Sequence, residues 1–364
     1  MTSKINTHNS SNKFNTKIIK VSESSPLTKD LIDAIELIKA GEVVAFPTET
    51  VYGLGANALN ANAVSKIFKA KGRPADNPII VHVSSYEMFS EVTSIQAHHD
   101  DIRKLQHSFW PGPLTLIVAK SEKVPYITTG NLETVAVRMP VHPVALELIK
   151  QSNIPIAAPS ANISGRPSPT TAQDVFEDMK GKIPMIIDAG HSIIGLESTV
   201  LDISDPNRTP MILRPGKITK DQIEACIGKK IEILDVNDIL QKTTNLKVKS
   251  PGLKYRHYAP KADVVLVSNL NDFLDSYNEL KQQKKSIGII CDSKHLPDLK
   301  NKDIIVEKSL IYNYSTLEEF GSNLYLKLRE LDAKNVSTIL IIFNEKRGFA
   351  EAIFNRLVKA SSKK

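Results

Sequence analysis

The sequence predicts two α/β units in tandem: an α+β or mixed-sheet domain, then a smaller domain with a largely parallel sheet. Two patterns favour this fold class. Up to about residue 232, strand-like apolar runs outnumber helical repeats and do not alternate with them regularly, which favours a mixed sheet over a doubly wound one. From residue 263 onward strands and helices alternate, which is typical of parallel βαβ units.

The length and composition are those of a globular protein with two domains. The chain has 364 residues, of which 41% are hydrophobic and 24% charged. It contains no apolar run long enough to span a bilayer, and its beginning lacks the apolar core of a secretory signal. We expect residues 1–25 to be a disordered polar extension, 26–232 the first domain, 233–262 a linker and 263–364 the second domain. Cytoplasm is the expected location, although the extension leaves organellar targeting open.

The net charge and the cysteines limit the kinds of partner and site that the sequence suggests. The formal net charge of +7 suits anionic partners such as nucleotides or RNA, but the lysines are spread over helices and tails as ordinary solubility charge. Cys226 and Cys291 are far apart, which fits a reducing compartment and gives no disulfide framework. No cluster with metal-ligand spacing is apparent, and neither is a Ser/His/Asp or Cys/His nucleophile set.

In the first domain a helix is expected over about 28–40, because Leu31, Ile35 and Ile38 recur at helical spacing before Gly41. A second helical repeat covers 63–71 and breaks at the Gly-Arg-Pro that follows. Two more helices are expected at 143–151 and 220–227. Short apolar runs predict the strands at 43–48, 79–83, 114–119, 135–137, 154–158, 185–188, 199–203 and 211–213.

The second domain is predicted from the same two periodicities. Strands are expected at 264–267, 286–291, near 304–306 and at 338–343, and helices at 272–285, near 317–332 and at 350–359. No Gly-rich phosphate loop follows the first of these strands, so this domain is not expected to be a catalytic nucleotide domain.

Five phrases in the first domain join short strands to Gly, Pro, Ser, Thr, Asn, Lys or Arg. They are PTETVYGLG at 47–55, KAKGRPADNPIIVHV at 69–83, ETVAVRMP at 133–140, APSANISGRPSPT at 158–170, and GLESTVLDI with LRPG between 195 and 216. Hydroxyls, guanidinium groups and free backbone N–H groups converge at such strand ends and bind phosphates and carboxylates. None is a Walker A motif or a GxGxxG fingerprint, so any nucleotide is held in a less usual way.

Two pairs of residues are candidates for contact with a phosphate chain. Lys71 and Arg73 lie two apart at the end of a helix, where they could grip a triphosphate, or simply form a solvated helix terminus. Ser160 and Asn162 follow a strand of small residues, which would let a ligand approach the backbone, although both residues are also common in plain turns.

Other candidates lie within strand-like runs. Arg138 is expensive to bury without a partner, so it is either in a structural salt bridge or a receptor for a carboxylate, and Thr134 shares its face of the strand. His82 lies between two valines, where a hydrogen-bonded core histidine is more common than a catalyst. Between the domains, SPGLKYRHYAP at 250–260 contains tyrosines that a disordered linker would avoid, so we expect it to pack on the protein.

Taken together, these phrases resemble the threonylcarbamoyl-AMP synthase family in its long form, a YrdC-like domain followed by a smaller C-terminal domain. The resemblance covers roughly residues 31–227 and the linker phrase, which has Leu253 where the family usually shows Met, and becomes mainly topological from 262 onward. The family's K-x-R and S-x-N signatures appear here as Lys71/Arg73 and Ser160/Asn162.

The resemblance implies an enzyme that joins L-threonine, bicarbonate or CO₂, and ATP into L-threonylcarbamoyladenylate, releasing pyrophosphate, for N6-threonylcarbamoyladenosine modification of tRNA. It implies a twisted mixed sheet with a concave positive face and a Rossmann-like second domain. It places threonine near Thr50, His82, Arg138, Ala158 and Ser198. It places ATP near Arg73, Asn77, Thr134, Ser160, Asn162, Ser168 and Arg214, with Tyr255 or Tyr258 closing over the site.

The chemistry of that reaction is compatible with the sequence. The carbamate of threonine is unstable in water, so a covered pocket helps, and its attack on the α-phosphate needs no covalent enzyme intermediate. Mg²⁺ would be bound by the triphosphate, with no metal ligands from the protein. We expect Arg138 to hold the threonine carboxylate, and Lys71 and Arg73 to stabilise the α-phosphoryl transition state.

Two alternatives are weighed. The first is carbamoyl-adenylate formation, as in hydrogenase-maturation relatives, but those carry zinc-finger-like regions for which two cysteines do not suffice. The second is a non-catalytic module that binds double-stranded RNA or tRNA through its basic surface. The expected downstream partner is the complex that transfers threonylcarbamoyl to tRNA.

Overall fold

The computed structural model describes residues 14–94, 99–234, 258–302, 304 and 306–361. Its first domain contains eight helices among these residues: α1 (Thr28–Lys39), α2 (Ala61–Lys71), α3 (Tyr86–Val92), α4 (Asp100–Phe109), α5 (Tyr126–Thr129), α6 (Pro143–Ser152), α7 (Ala172–Met179) and α8 (Lys220–Ile227). No helix in the described ranges is long and apolar enough to cross a membrane.

The first domain is built on one large mixed sheet. Its described strands are β1 (Lys17–Lys20), β2 (Val44–Phe46), β3 (Gly53–Asn57), β4 (Ile80–His82), β5 (Leu114–Ala119), β6 (Thr134–Arg138), β7 (Ile156–Ala157), β8 (Met185–Asp188), β9 (Thr199–Asp202), β10 (Met211–Arg214) and β11 (Glu232–Ile233). They lie in the order β1-β8-β2-β3-β7-β4-β6-β5-β9-β10-β11. Parallel and antiparallel pairings both recur along this order, which confirms the predicted mixed sheet.

The two faces of this sheet have different roles. Val81 and Val137 point into the main core, which the helices cover. Ile80 and Ala136, one residue away on the same strands, form a small apolar patch with Ile117 on the other face. Because side chains alternate along a strand, His82 and Arg138 lie on the face of that patch. The register pairs these two residues at the ends of β4 and β6.

The second domain has a separate parallel sheet in the order β12-β15-β13-β14. Its strands are β12 (Asp263–Val267), β13 (Ile287–Asp292), β14 (Ile311–Tyr314) and β15 (Thr338–Ile342). Its described helices are α9 (Leu270–Gln282), α10 (Leu296–Asn301), α11 (Leu317–Ala333) and α12 (Phe349–Ser361). One apolar cluster joins α9 and α10 to the sheet and another joins α11 and α12 to it, so helices cover both faces, as predicted.

Two of the sequence predictions are wrong. Within the expected disordered extension, β1 pairs in parallel with β8 and extends the first sheet, because its two isoleucines, flanked by lysines, supply a short strand for an open edge. A strand was expected near 304–306, but Ile304 and Val306 lie outside any strand, and β14 begins at Ile311. The apolar run at 304–306 has only three residues. The strand that pairs with β13 is instead β14, whose register against β13 is continuous.

The second domain packs directly on loops of the first. Val51 and Leu196 from the first domain belong to the same apolar cluster as Phe320, Leu324 and Tyr325 of α11. Gly195 approaches the backbone of Ser322 so closely that a Cβ atom there would collide with it. The loops that carry two of the five sequence motifs are therefore held against α11.

Candidate active site

A pocket on the open face of the first sheet brings most of the predicted site residues together. The pocket is partly open to solvent. The predicted residues that line it are Thr50, Arg73, His82, Arg138, Ala158, Ser160, Ser198, Arg214 and Tyr258. They come from all five motifs and from the end of the linker, which explains why no single motif was informative alone.

Arg138 is a cation of the pocket that is held by several contacts. Its three guanidinium nitrogens have separate partners: Nε donates to the Gly112 carbonyl at 3.2 Å, NH1 donates to Thr50 Oγ1 at 2.9 Å, and NH2 lies 2.5 Å from Glu49 Oε1. Arg138 and Glu49 are both buried. Arg138 therefore has the structural salt bridge that the sequence offered as one alternative. It also lines the pocket, so the other alternative, a receptor for a carboxylate, stays a prediction.

His82 lies beside Arg138 and is neutral. Burial, and then the neighbouring Arg138 charge, lower the pKa of His82 to about 3. Its ring meets Phe46 edge-on, with 6.2 Å between ring centroids. A neutral imidazole at this place can accept or donate one hydrogen bond without adding charge to the carboxylate-sized space next to Arg138.

Lys71 and Arg73 differ in their position relative to the pocket. Arg73 lines the pocket, and its NH2 donates to the Pro78 carbonyl at 3.1 Å. Lys71 does not line the pocket; its Nζ donates to the carbonyls of Ser160 and Asn162 at 2.5 and 2.6 Å. Burial and then Arg73 lower the pKa of Lys71 well below its usual value. The lysine of the K-x-R signature thus fixes the loop that carries the S-x-N signature.

The S-x-N loop is closed by its own side chains. Ser160 Oγ donates to Asn162 Oδ1 at 2.5 Å, and Asn162 Nδ2 donates to the carbonyls of Ile163 and Arg166. Asn162 is buried behind the wall, whereas Ser160 lines the pocket. Ser160 therefore lies at the pocket surface, while the asparagine maintains the shape of the loop.

On the opposite side of the pocket Ser198 organises a second group of donors. Arg214 donates from Nε to the Ser198 carbonyl and from NH2 to Ser198 Oγ, both at 3.1 Å. Ser198 Oγ also lies 2.7 Å from Thr115 Oγ1. Arg214 is buried, so its side chain is held rigidly at the pocket wall.

Glu197 is a carboxylate in the pocket wall that sequence reasoning missed. It accepts hydrogen bonds from Ser168 Oγ at 2.6 Å and Tyr325 OH at 2.9 Å, and Arg356 Nε donates to it at 3.0 Å. Burial alone would raise the pKa of Glu197, but Arg356, then Arg214, then the bond from Ser168 lower it to about 2. Two of its partners belong to the second domain, so both domains build this wall.

Tyr258 closes the pocket from the end of the linker. It is buried, has a backbone φ of 67°, and stacks on Tyr325 with 5.3 Å between ring centroids. Tyr255, the other tyrosine expected to cover the site, lies outside the described residues.

Five predicted residues are not in the pocket lining. Lys71, Asn162 and Ser168 lie one layer behind it and hold residues that do line it. Asn77 is buried next to Arg73, whose NH2 lies 3.5 Å from its carbonyl. Thr134 lies at the far end of β6, about 13 Å from Arg138 along the strand. The structure therefore does not bring Thr134 to the pocket.

Glu49 and Glu197 could have been suspected from the sequence. Each lies inside a motif next to a predicted ligand residue, in Thr-Glu-Thr and in Glu-Ser-Thr. A carboxylate next to a predicted binding residue is expected to pair with an arginine. Only the fold shows which arginine it contacts. No group of three or more His, Cys, Asp or Glu with metal-binding geometry occurs within the described ranges.

Comparison with known proteins identifies the family. Residues 36–216 match the family model described as "Telomere recombination", and residues 218–362 match "Threonylcarbamoyl-AMP synthase, C-terminal domain". The chain is 45% identical to the threonylcarbamoyl-AMP synthase of Pyrococcus abyssi over 90% of this chain and 93% of that protein. It is 42% identical to that of Bacillus subtilis over 93% and 95% of the two chains.

The same relation holds for the structure. The crystal structure of P. abyssi Sua5 complexed with L-threonine matches with a TM-score of 0.85 and 44% identity, covering 95% of this chain and 98% of that one. Both domains and their order are shared with these relatives. The chain therefore belongs to the threonylcarbamoyl-AMP synthase family, in its two-domain form.

Proposed function

We propose that this chain joins L-threonine, bicarbonate or CO₂, and ATP into L-threonylcarbamoyladenylate, with release of pyrophosphate. The observation that carries this proposal is the convergence of three buried guanidinium groups on one pocket, those of Arg73, Arg138 and Arg214. Burying three cations without ligands is costly, so their arrangement suits anionic substrates. Threonine offers one carboxylate and ATP offers a triphosphate.

At the threonine end, Arg138 is the proposed carboxylate receptor. Glu49 and Thr50 fix two of its nitrogens, which orients the remaining N–H groups toward the pocket. Neutral His82 and Ala158 leave room for an uncharged amine, the form that attacks carbon dioxide. Ser198 Oγ supplies a further hydrogen-bonding group at this end.

At the nucleotide end, we propose that Arg73 and Arg214 contact phosphate oxygens, with Ser160 Oγ between them on the wall. Arg73 would stabilise the negative charge that develops as pyrophosphate leaves the α-phosphorus. Lys71, Asn162 and Ser168 act by holding Ser160 and Glu197 in place. Mg²⁺ would enter as the MgATP complex, with its ligands on the triphosphate.

The pocket also protects the intermediate. The carbamate of threonine loses carbon dioxide in water, and buried Tyr258 in the pocket lining would help to exclude solvent. No covalent step on the protein is needed, because the carbamate oxygen attacks the α-phosphate directly. The product would then be consumed by the complex that transfers the threonylcarbamoyl group to tRNA.

The test is incubation of the purified protein with MgATP, bicarbonate and radiolabelled threonine, followed by measurement of pyrophosphate and labelled adenylate. Pyrophosphate release that depends on threonine, together with a labelled adenylate, is the expected result. Pyrophosphate that appears only with carbamoyl phosphate would support the carbamoyl-transfer alternative. No ATP turnover in any mixture, with salt-sensitive binding of duplex RNA, would support the RNA-binding alternative.

A further inference from the structure

The wall of the pocket near Arg214 contains a buried cluster of charges that spans both domains. Glu197 lines the pocket from the first domain, and Arg356 of α12 lies behind it with no exposed surface. Arg356 Nε donates to Glu197 Oε2 at 3.0 Å, and its NH1 donates to the Pro215 carbonyl at 2.8 Å. Its guanidinium group also lies over the Tyr258 ring, 5.6 Å from the centroid.

The balance of charge in this cluster favours an anion in the pocket. One carboxylate, Glu197, faces two guanidinium groups, those of Arg214 and Arg356, so one positive charge remains uncompensated. Only Arg214 of these two cations lines the pocket. Lys359 is buried in the same cluster, and burial, then Arg356 and Arg214, lower its pKa to about 7. At pH 8 Lys359 is mostly neutral, and the surplus charge is that of Arg214.

We propose that Arg356 of the C-terminal domain is a positioning residue of the nucleotide site: it neutralises Glu197, so that Arg214 keeps its positive charge for the phosphates of ATP. The inference rests on the proposed nucleotide site. Arg356 touches no substrate in this arrangement. It acts through Glu197. The positive charge of the pocket in the first domain therefore depends on docking of the second domain.

The consequence of losing Arg356 follows from burial. Without Arg356, the ionised Glu197 would keep Arg214 as the neighbouring arginine that stabilises its charge. An ion pair between these two residues would draw the guanidinium group away from Ser198 and cancel the surplus charge. A charge-assisted hydrogen bond to phosphate would be lost with it, which corresponds to about 10- to 100-fold in affinity for ATP.

The experiment measures the dissociation constant of MgATP at pH 8 for the full-length protein by calorimetric titration without threonine. Arg356→Gln should weaken ATP binding by about 10- to 100-fold. The double variant Glu197→Gln with Arg356→Gln removes one charge of each sign, so it should recover most of that loss. Arg356→Lys keeps the cation and should bind ATP far better than Arg356→Gln, even though its hydrogen bonds differ.

Arg329→Gln is the matched control. Arg329 is also a buried arginine of the second domain, and it pairs with Asp178 of the first at 2.8 Å, but neither residue lines the pocket. Because this pair is not part of the pocket wall, Arg329→Gln should leave the dissociation constant of MgATP nearly unchanged. A general loss of domain packing would lower the melting temperature in both single variants and would not be rescued by a second substitution.

Several outcomes would overturn the inference. Arg356→Gln could bind ATP as tightly as the unmodified protein, or the double variant could bind no better than Arg356→Gln. If Arg356→Gln does not fold, similar ATP affinities in Arg356→Lys and the double variant would confirm the charge argument, whereas weak binding by the double variant would contradict it. Failure of the unmodified protein to bind ATP or release pyrophosphate would instead refute the proposed function.

Discussion

At the scale of single residues, the first prediction concerns the function of Lys71. Its ammonium group donates to two carbonyls of the S-x-N loop, so it holds Ser160 in place even if it never touches a phosphate. Lys71→Met should lower the rate of threonine-dependent pyrophosphate release by roughly 100-fold, because the donor geometry of the loop is lost. The rate at saturating ATP and threonine measures this effect.

The control for this change is Lys69→Met. Lys69 lies in the same last turn of α2 but is exposed, so its removal tests the general loss of a positive charge at the helix end. It should leave turnover nearly unchanged. Near-normal turnover in Lys71→Met would show that the loop keeps its shape without the lysine.

A second residue-scale prediction concerns pH. The folded protein holds the pKa of His82 at about 3, whereas in the unfolded chain a histidine titrates near its ordinary value of about 6.5. As the pH falls between these two values, only the unfolded state gains a proton. The free energy of unfolding should therefore fall with decreasing pH, by up to about 1.4 kcal/mol per pH unit from this group.

The measurement is urea unfolding at pH 7, 6, 5 and 4, for the unmodified protein and for His82→Gln. The variant should lose this part of the pH dependence. His107→Gln is the control, because His107 is exposed on α4. Equal slopes for all three proteins would mean that His82 is not held in its neutral form by the fold.

The residues also show why the site could be only partly predicted. Arg138 was found from its placement in an apolar strand, since a buried cation needs a partner. That partner, Glu49, lies 89 positions earlier in the chain, in the loop after β2, and only the folding of the sheet brings it to the end of β6. Thr134 stays a prediction: it does not line the pocket, because the period-2 rule gives the face of a strand but not the position along it.

At the scale of elements, the contact between the loop before β9 and helix α11 can be tested by adding one methyl group at Gly195. Gly195 has a φ of +72°, and a Cβ atom there would collide with the backbone of Ser322. Gly195→Ala should push residues 195–198 off α11, lower the melting temperature by several degrees, and weaken ATP binding through displaced Glu197. Thermal unfolding and ATP titration measure these effects.

Gly228→Ala separates the collision from backbone strain. Gly228 ends α8 with a φ of +69°, and nothing lies within 4 Å of its Cβ position. It therefore carries only the cost of a left-handed backbone, about 1–2 kcal/mol. If the two variants lose equal stability and bind ATP equally well, the close approach of the loop to α11 does not matter for the site.

Some elements with a clear apolar repeat were predicted from the sequence, and two short strands that depend on tertiary pairing were not. Helix α1 and strand β15 follow directly from their apolar repeats. Strand β1 has only four residues and exists because β8 offers an open edge. Strand β14, with two tyrosines and an asparagine, reads less like a strand than the run at 304–306, yet its pairing with β13 decides the assignment.

At the scale of the whole molecule, the second domain completes the wall of the pocket. Its two buried arginines reach different loops of the first domain: Arg329 NH2 donates to the Pro167 carbonyl at 2.6 Å, and Arg356 reaches Glu197 and Pro215. The sequence predicted two domains and their fold classes. It gave no indication that arginines on α11 and α12 reach the loops of the site, because the contacts link residues more than 140 positions apart.

Docking of the two domains leaves one further cation, Lys359, at the buried interface, and its charge should make stability depend on pH. In the folded protein burial and then the neighbouring arginines lower the pKa of Lys359 to about 7, whereas an unfolded lysine keeps its ordinary value of about 10.4. Between these values the unfolded chain binds one more proton than the folded protein. The free energy of unfolding should therefore rise by about 1.4 kcal/mol per pH unit from pH 7 toward pH 10, and the contribution of Lys359 should be flat below pH 7.

The measurement is urea unfolding at pH 6, 7, 8 and 9. Lys359→Met should abolish the rise and should be more stable than the unmodified protein at pH 7. Lys230→Met is the control, because Lys230 is exposed. Parallel stability curves for the unmodified protein and Lys359→Met would mean that the interface holds the lysine in its charged form, and that the surplus positive charge of the cluster is larger than that of Arg214 alone.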